Sequence, residues 1–159
     1  MNNKNKKLFF HYTKGIKNFK TYIRNKKIYY EKIIKYILKK ENYKKYRMNY
    51  IFCDKVHMII LNNNIFKKKI STDVISINYC NYYNKILIGD VYICLQSTYE
   101  NSLYYQVDFS YEILRNIIHG TLHILGYSDN NEYYRNIMLK KQNKYIIKYI
   151  YKYIINIEK

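Results

Sequence analysis

The stretch HGTLHILGYSD, residues 119–129, sets His119 and His123 four positions apart and follows them with Gly126 and Asp129. Residues i and i+4 of a helix share one face, so imidazoles at this spacing can present nitrogens to a single ion. A glycine three residues beyond His123 suits a left-handed helix end that turns the chain sharply. Asp129 then follows closely enough to return a carboxylate to the same ion. Two histidines and a carboxylate suit zinc, and the ligand types leave nickel, copper or manganese open. Three protein ligands keep a fourth position for water, which is the catalytic and not the closed structural arrangement. A water bound to zinc loses a proton near neutrality, so the metal-bound water is the nucleophile and no side chain has to act as base.

Gly120 is the unexpected residue. The spacing H-x-x-x-H-x-x-G-x-x-D has the ligand geometry of metzincin peptidases with Asp as third ligand, but a peptidase helix carries a glutamate base after its first histidine. Gly120 therefore speaks against peptide hydrolysis and is expected to leave room for a bulky substrate beside the ion. Only four glycines occur in the chain, and two fall within these eleven residues.

At about 100° per residue, Ile113, Leu114, Ile117, Ile118, Leu122 and Leu125 fall on one broad apolar face. Glu112, Asn116, His119 and His123 fall opposite, so the histidines line a polar stripe. The elements that must carry this helix are expected upstream: a strand near 8–13 and an amphipathic helix near 28–42, with Ile33, Ile34, Ile37 and Leu38 as its stripe. YIFCDKVHMIILN (50–62) is read as a strand, with Asn62 capping a short helical turn. TDVISIN (72–78) and KILIGDVYICL (85–95) are further strands, separated by a polar hairpin loop at 81–84. From about 97 the periodicity is helical. Strands first and helices last imply an α+β layer, a small sheet with helices packed on it. In the segment 145–158, Lys144, Lys148 and Lys152 lay one charged stripe, as a helix docked on the domain would.

Composition adds less. The chain has 159 residues, enough for one domain with a core. It has no proline, no tryptophan and 23 tyrosines, and its Asn, Lys, Ile and Tyr share AT-rich codons, so composition alone carries little weight. The net charge of +18 fits a nucleic-acid or anionic partner, or a solvated surface rich in lysine. Cys53, Cys80 and Cys94 are odd in number and lack C-x-x-C spacing, so they read as apolar residues in a reducing compartment, with no disulfide partner. The basic N-terminus has too short an apolar stretch for a signal peptide, and no run approaches a membrane span. A cytoplasmic protein with no membrane partner is expected.

RNIIHGTLHILGYSD resembles the HGxLHLxGYDH signature of the YbeY family of metal-dependent endoribonucleases. LNNNIFKKKISTDVISI (61–77) is similar to that family's block running from an asparagine to T-D-V-L-S-F, with Asn62 and Thr72–Asp73 at matching separation. IGDVYICL (88–95) resembles its L-G-D-I-x-I-S strand, and SYEILRNIIHG keeps a glutamate seven residues before the first histidine. The resemblance spans about residues 50–142 of a single domain over 1–159, with 143–159 as a C-terminal helix.

The resemblance implies an α/β (α+β) fold, with a small mixed four-stranded sheet, packed helices and the metal helix in the C-terminal half behind a positively charged cleft. It implies a zinc-dependent, single-strand-specific endoribonuclease of ribosomal RNA processing, acting in late maturation of the small-subunit RNA 3′ end and in ribosome quality control. The partners implied are a ribosomal RNA precursor and the small ribosomal subunit. Carried over by position, His119 and His123 are the first two ligands, and the family's third histidine falls on Asp129, not on Ser128. The position of a family arginine proposed to contact RNA phosphate holds Phe66. Lys67, Lys68 and Lys69 follow it with positive charge, although a lysine lacks the bidentate guanidinium grip. Two rivals remain: a non-catalytic ribosome-assembly factor with a structural metal, for which Phe66 speaks, and a metzincin-like metallohydrolase. Asp73 and Asp90 either approach the site or cap turns. Tyr127 is expected to pack, and His11 and His57, placed on strands, to be bystanders.

Overall fold

The computed structural model describes residues 5–80 and 86–153. Its elements are β1 (Lys6–Tyr12), a 3-10 turn (Lys14–Ile16), α1 (Lys17–Lys40), β2 (Tyr46–Cys53), α2 (Lys55–Phe66), β3 (Val74–Asn78), β4 (Leu87–Cys94), α3 (Leu95–Tyr104), α4 (Phe109–Ile124) and α5 (Glu132–Tyr153). β1 and β2 pair in parallel, as do β2 and β4, and β3 runs antiparallel along β4. The result is the expected mixed four-stranded sheet, in the order β1-β2-β4-β3. β3 and β4 form the expected antiparallel pair, and the 81–84 loop between them lies outside the described residues.

Alternation along the strands puts Met48, Tyr50 and Phe52 of β2 and Val91 and Ile93 of β4 on one buried face. Ile33, Ile34, Ile37 and Leu38 of α1 and Ile113, Ile117, Ile118 and Leu122 of α4 share its core. α5 joins through Met138, Tyr145, Ile146 and Tyr149, so the described part of 145–158 is a docked helix. Among the described residues no helix is long and apolar enough to cross a membrane. Cys53 and Cys94 are neighbours in the β2–β4 register; both are buried, and all three cysteines are free thiols.

The reading of 50–62 as one strand is wrong. β2 ends at Cys53 and a helix begins at Lys55. Asp54 makes the break: its carboxylate accepts the His57 N–H at 2.8 Å and caps α2. A short apolar run cannot be assigned by periodicity alone, and here the cap decides. Asn62 is correspondingly no cap. It is buried within α2 and donates from Nδ2 to the Ile70 carbonyl at 2.8 Å, fastening the following loop. α1 also starts well before residue 28, because Ile23 is buried and Phe19 and Tyr22 pack on Phe109 at 5.5 and 5.4 Å between ring centroids.

Candidate metal centre on helix α4

α4 is capped at both ends and fastened to the sheet. Asp108 accepts the Ser110 N–H at 2.6 Å at the start. At the end Gly126 adopts φ +93°, and the N–H groups of Gly126 and Tyr127 donate to the carbonyls of His123 and Leu122, both at 3.0 Å. This is a Schellman closure, which needs the left-handed conformation that glycine adopts without strain. Along the helix, Ser76 donates to the Gly120 carbonyl at 3.1 Å and Asn78 to the Ile124 carbonyl at 2.8 Å. Thr121 donates to the Ile117 carbonyl, so its oxygen is left to accept the buried Tyr50 hydroxyl at 2.7 Å.

Gly120 faces the sheet, not the metal side. A Cβ there would lie 2.3 Å from Val91 Cγ1 and 3.1 Å from Ser76 Oγ. The glycine exists because helix and sheet touch at this point. The expectation that it leaves room for a substrate is therefore corrected: even a methyl there would push against Val91, and a glutamate side chain would start from the sheet side of the helix.

The turn at Gly126 returns Asp129 to the histidines. Donor atoms of His119, His123 and Asp129 all lie within 4.8 Å of one another, and this is a group able to hold a metal ion. His119 Nε2 and His123 Nε2 face each other at 3.1 Å, and Asp129 Oδ2 lies 3.9 and 3.8 Å from them. The other ring nitrogens are fixed from outside. His123 Nδ1 lies 3.0 Å from the Tyr127 carbonyl, and His119 Nδ1 lies 3.0 Å from Oε1 of the buried Gln142. A carbonyl oxygen can only accept, so both Nδ1 atoms carry protons, and Nε2 is the atom each ring has left to offer a ligand at the point where the two rings and Asp129 meet. Two lone pairs and a carboxylate converging on one point repel one another unless a cation joins them. Tetrahedral zinc sets neighbouring ligand atoms about 3.3 Å apart, between the distances found here, so the donor set fits such an ion. Burial, and next the charge of His123, hold His119 below the ordinary histidine pKa, against the opposing pull of Gln142, Asp129 and Asp73. The ring is thereby kept in the neutral form that a ligand requires.

The rest of the polar stripe does other work. Glu112 and Asn116 are both 1% exposed, covered by α3, where Asn116 donates to Thr98 at 2.9 Å. Arg115 compensates Glu112 through Nε at 2.8 Å and Nη2 at 2.5 Å, and its Nη2 lies 3.5 Å from Asp73. The hydrogen bond that Arg115 donates to Glu112 raises the Arg115 pKa, against the effect of burial. Asp73 thus approaches the site, as one of its two readings had it. Asp90 does not: it accepts from Asn49 at 2.6 Å and Tyr79 at 3.2 Å. Arg115 escaped the sequence reading, although its place four residues before His119 marks it. His11, on β1, contacts Asn49 at 3.3 Å, and His57 is an exposed helical residue, not a strand residue; neither belongs to the metal group. Lys67, Lys68 and Lys69 are exposed on the loop from α2 toward Asp73, with Lys67 at φ +58°. Tyr127 does pack against the core, and its hydroxyl also reaches Glu41 at 2.9 Å.

Fold and site together define a small α/β protein with a His–His–Asp group able to hold a metal ion, on a helix packed against a mixed sheet. The chain belongs to a family whose model, described as Endoribonuclease YbeY, matches residues 13–150. An Endoribonuclease YbeY of Karelsulcia muelleri is 37% identical over 126 residues, covering 79% of this chain and 88% of that protein. One of Flavobacterium psychrophilum is 33% identical over 108 residues, covering 68% and 76%. The fold is also that of the solution structure of TM1509 from Thermotoga maritima, with a TM-score of 0.62 over 94% of this chain and 93% of that one, at 24% identity.

Proposed function

We propose that the chain is a zinc-dependent, single-strand-specific endoribonuclease that trims a ribosomal RNA precursor at the small subunit in the cytoplasm, with residues 1–159 acting as one domain. Membership of an endoribonuclease family makes it a hydrolase of RNA. The observation that carries the metal reading is the pair of Nε2 atoms 3.1 Å apart, each ring locked at Nδ1 by an acceptor, with Asp129 beside them. A zinc ion held there would supply Lewis acidity toward a phosphodiester and would ease the ionisation of water near neutral pH. His119, His123 and Asp129 hold and orient it, and the half-exposed Asp129 leaves the solvent side open to substrate. Lys67, Lys68 and Lys69 attract the phosphate backbone as mobile point charges. The net charge of +18 favours the encounter with RNA.

The test is cleavage of a single-stranded precursor fragment with the metal content of the purified protein measured alongside. We expect about one zinc per chain, cleavage that stops with chelator and returns with zinc, and loss of both on Asp129→Ala. Cleavage untouched by Asp129→Ala would sink the site. RNA binding without cleavage in any divalent metal would make the chain an assembly factor instead.

A further inference from the structure

Arg115 stands one helical turn before His119, so Arg115, His119 and His123 form one row along α4. Its guanidinium is held and not loose. Glu112 takes Nε and Nη2, Asp73 also approaches Nη2, and the side chain is 27% exposed. Among the described residues no carboxylate takes Nη1. Asp73 accepts in turn from Asn101 of α3 at 3.3 Å. One turn beyond Asn101, and bonded to its carbonyl at 2.9 Å, Tyr105 caps the end of α3. Tyr105 is 59% exposed and sits edge-on to the still more exposed Tyr104, with ring centroids 5.0 Å apart. From Arg115, one turn before the histidines, a relay of hydrogen bonds thus runs through Asp73 and Asn101 to the end of the neighbouring helix α3, which carries an exposed aromatic ring.

We propose that Tyr105 and Arg115 form a nucleotide subsite beside the metal group, in which an unpaired RNA base stacks on Tyr105 and the adjoining phosphate binds Arg115. The subsite rests on the reading of the chain as an RNA-cleaving enzyme. An aromatic face accepts any base, and only a base free of a duplex can reach it, so the subsite selects single strands without selecting sequence. Glu112 and Asp73 fix the guanidinium beforehand and offset its charge, so a phosphate oxygen meets an ordered Nη1 donor, a hydrogen bond with little side-chain entropy left to lose, while most of the affinity comes from stacking.

The experiment uses an unstructured oligoribonucleotide with one 2-aminopurine, whose fluorescence falls when the base stacks. The full chain is titrated in chelator, and cleavage is then measured with zinc. We expect quenching by the unaltered chain and by Tyr105→Phe, and none by Tyr105→Ala. KM should rise on the order of tenfold for Tyr105→Ala, with the loss falling on KM and not on kcat. Arg115→Lys keeps a charge opposite the buried Glu112 but removes the Nη1 donor, so it tests the phosphate contact without emptying the pair, and it should weaken binding several-fold. Quenching and KM unchanged in Tyr105→Ala, in a chain that still cleaves RNA, would overturn the subsite and leave the activity standing. A chain that neither binds nor cleaves RNA would overturn both.

Discussion

The hydroxyl of Tyr127 donates to Glu41 at 2.9 Å, joining the loop that carries Asp129 to the end of a helix 86 residues earlier. Glu41 also accepts from Lys141 at 2.8 Å and from Tyr145, so three donors from two elements meet on one carboxylate whose side chain is 14% exposed. The Tyr127 carbonyl orients His123, which makes Glu41 the outermost strut of the metal group. Glu41→Ala leaves three donors without their acceptor and should cost about 2–3 kcal/mol in urea unfolding, with weaker zinc binding besides. Burial pushes the Glu41 carboxyl up, but the bonds from Lys141, Tyr145 and Tyr127 outweigh it and hold it below its ordinary value. A depressed carboxyl contributes stability above its unfolded pKa and loses it as pH falls through the folded one. The gap between the unaltered chain and Glu41→Gln should therefore hold at neutral pH and close below about pH 4. A gap that widens with acid would refute the assignment.

Gln142 does the same for His119, accepting its Nδ1 proton from a buried position on α5. Outer partners of this kind fix tautomer and ring orientation, and their loss costs roughly 10–100-fold in metal affinity. Gln142→Leu should weaken zinc binding by about that factor in a competitive chelator titration. Gln142→Glu, with a stronger acceptor, should hold zinc at least as tightly. Equal affinity in Gln142→Leu would show that His119 does not bind through Nε2.

The candidate metal group was legible in the sequence because its members are local: the i, i+4 spacing, the turn glycine and Asp129 all lie within residues 119–129. Their supports were not. Gln142 stands 23 residues from His119 and Glu41 stands 86 from Tyr127, and only the packing of α1 and α5 on α4 brings them in. The helical wheel placed Glu112 and Asn116 with the histidines correctly, but a wheel does not know that α3 covers one end of that stripe. α2 was misread for a different reason. Val56 and Ile60 are exposed, so the helix has no clean apolar face, and its one clear local signal was the capping type of Asp54.

The lysines at 67–69 make a prediction about salt. Each phosphate contact to a single strand contributes about 0.7 to the slope of log affinity against log salt. Three contacts removed together should lower that slope by about 2. Lys67 lies in the left-handed region, so Asn is the replacement that position tolerates, with Ala at the other two. All three are exposed, so stability should hold within about 0.5 kcal/mol. An unchanged slope in a filter-binding series would leave the lysines as a solvated loop.

Gly120 offers the sharpest steric test. A methyl there would sit 2.3 Å from Val91 Cγ1, on a stiff β-branched side chain in the middle of β4. Helix propensity favours alanine by about 1 kcal/mol, but overpacking of this kind costs about 1–3 kcal/mol. Gly120→Ala should therefore be destabilising, and zinc affinity should fall with it, because the histidine row moves when α4 lifts from the sheet. Val91→Ala removes the atom in the way at the cost of its own lost packing. The double variant should then unfold with a penalty smaller than the sum of the two single ones by about 1 kcal/mol or more. Strict additivity would mean that Gly120 and Val91 do not touch, and that something other than the sheet keeps a base off the metal helix.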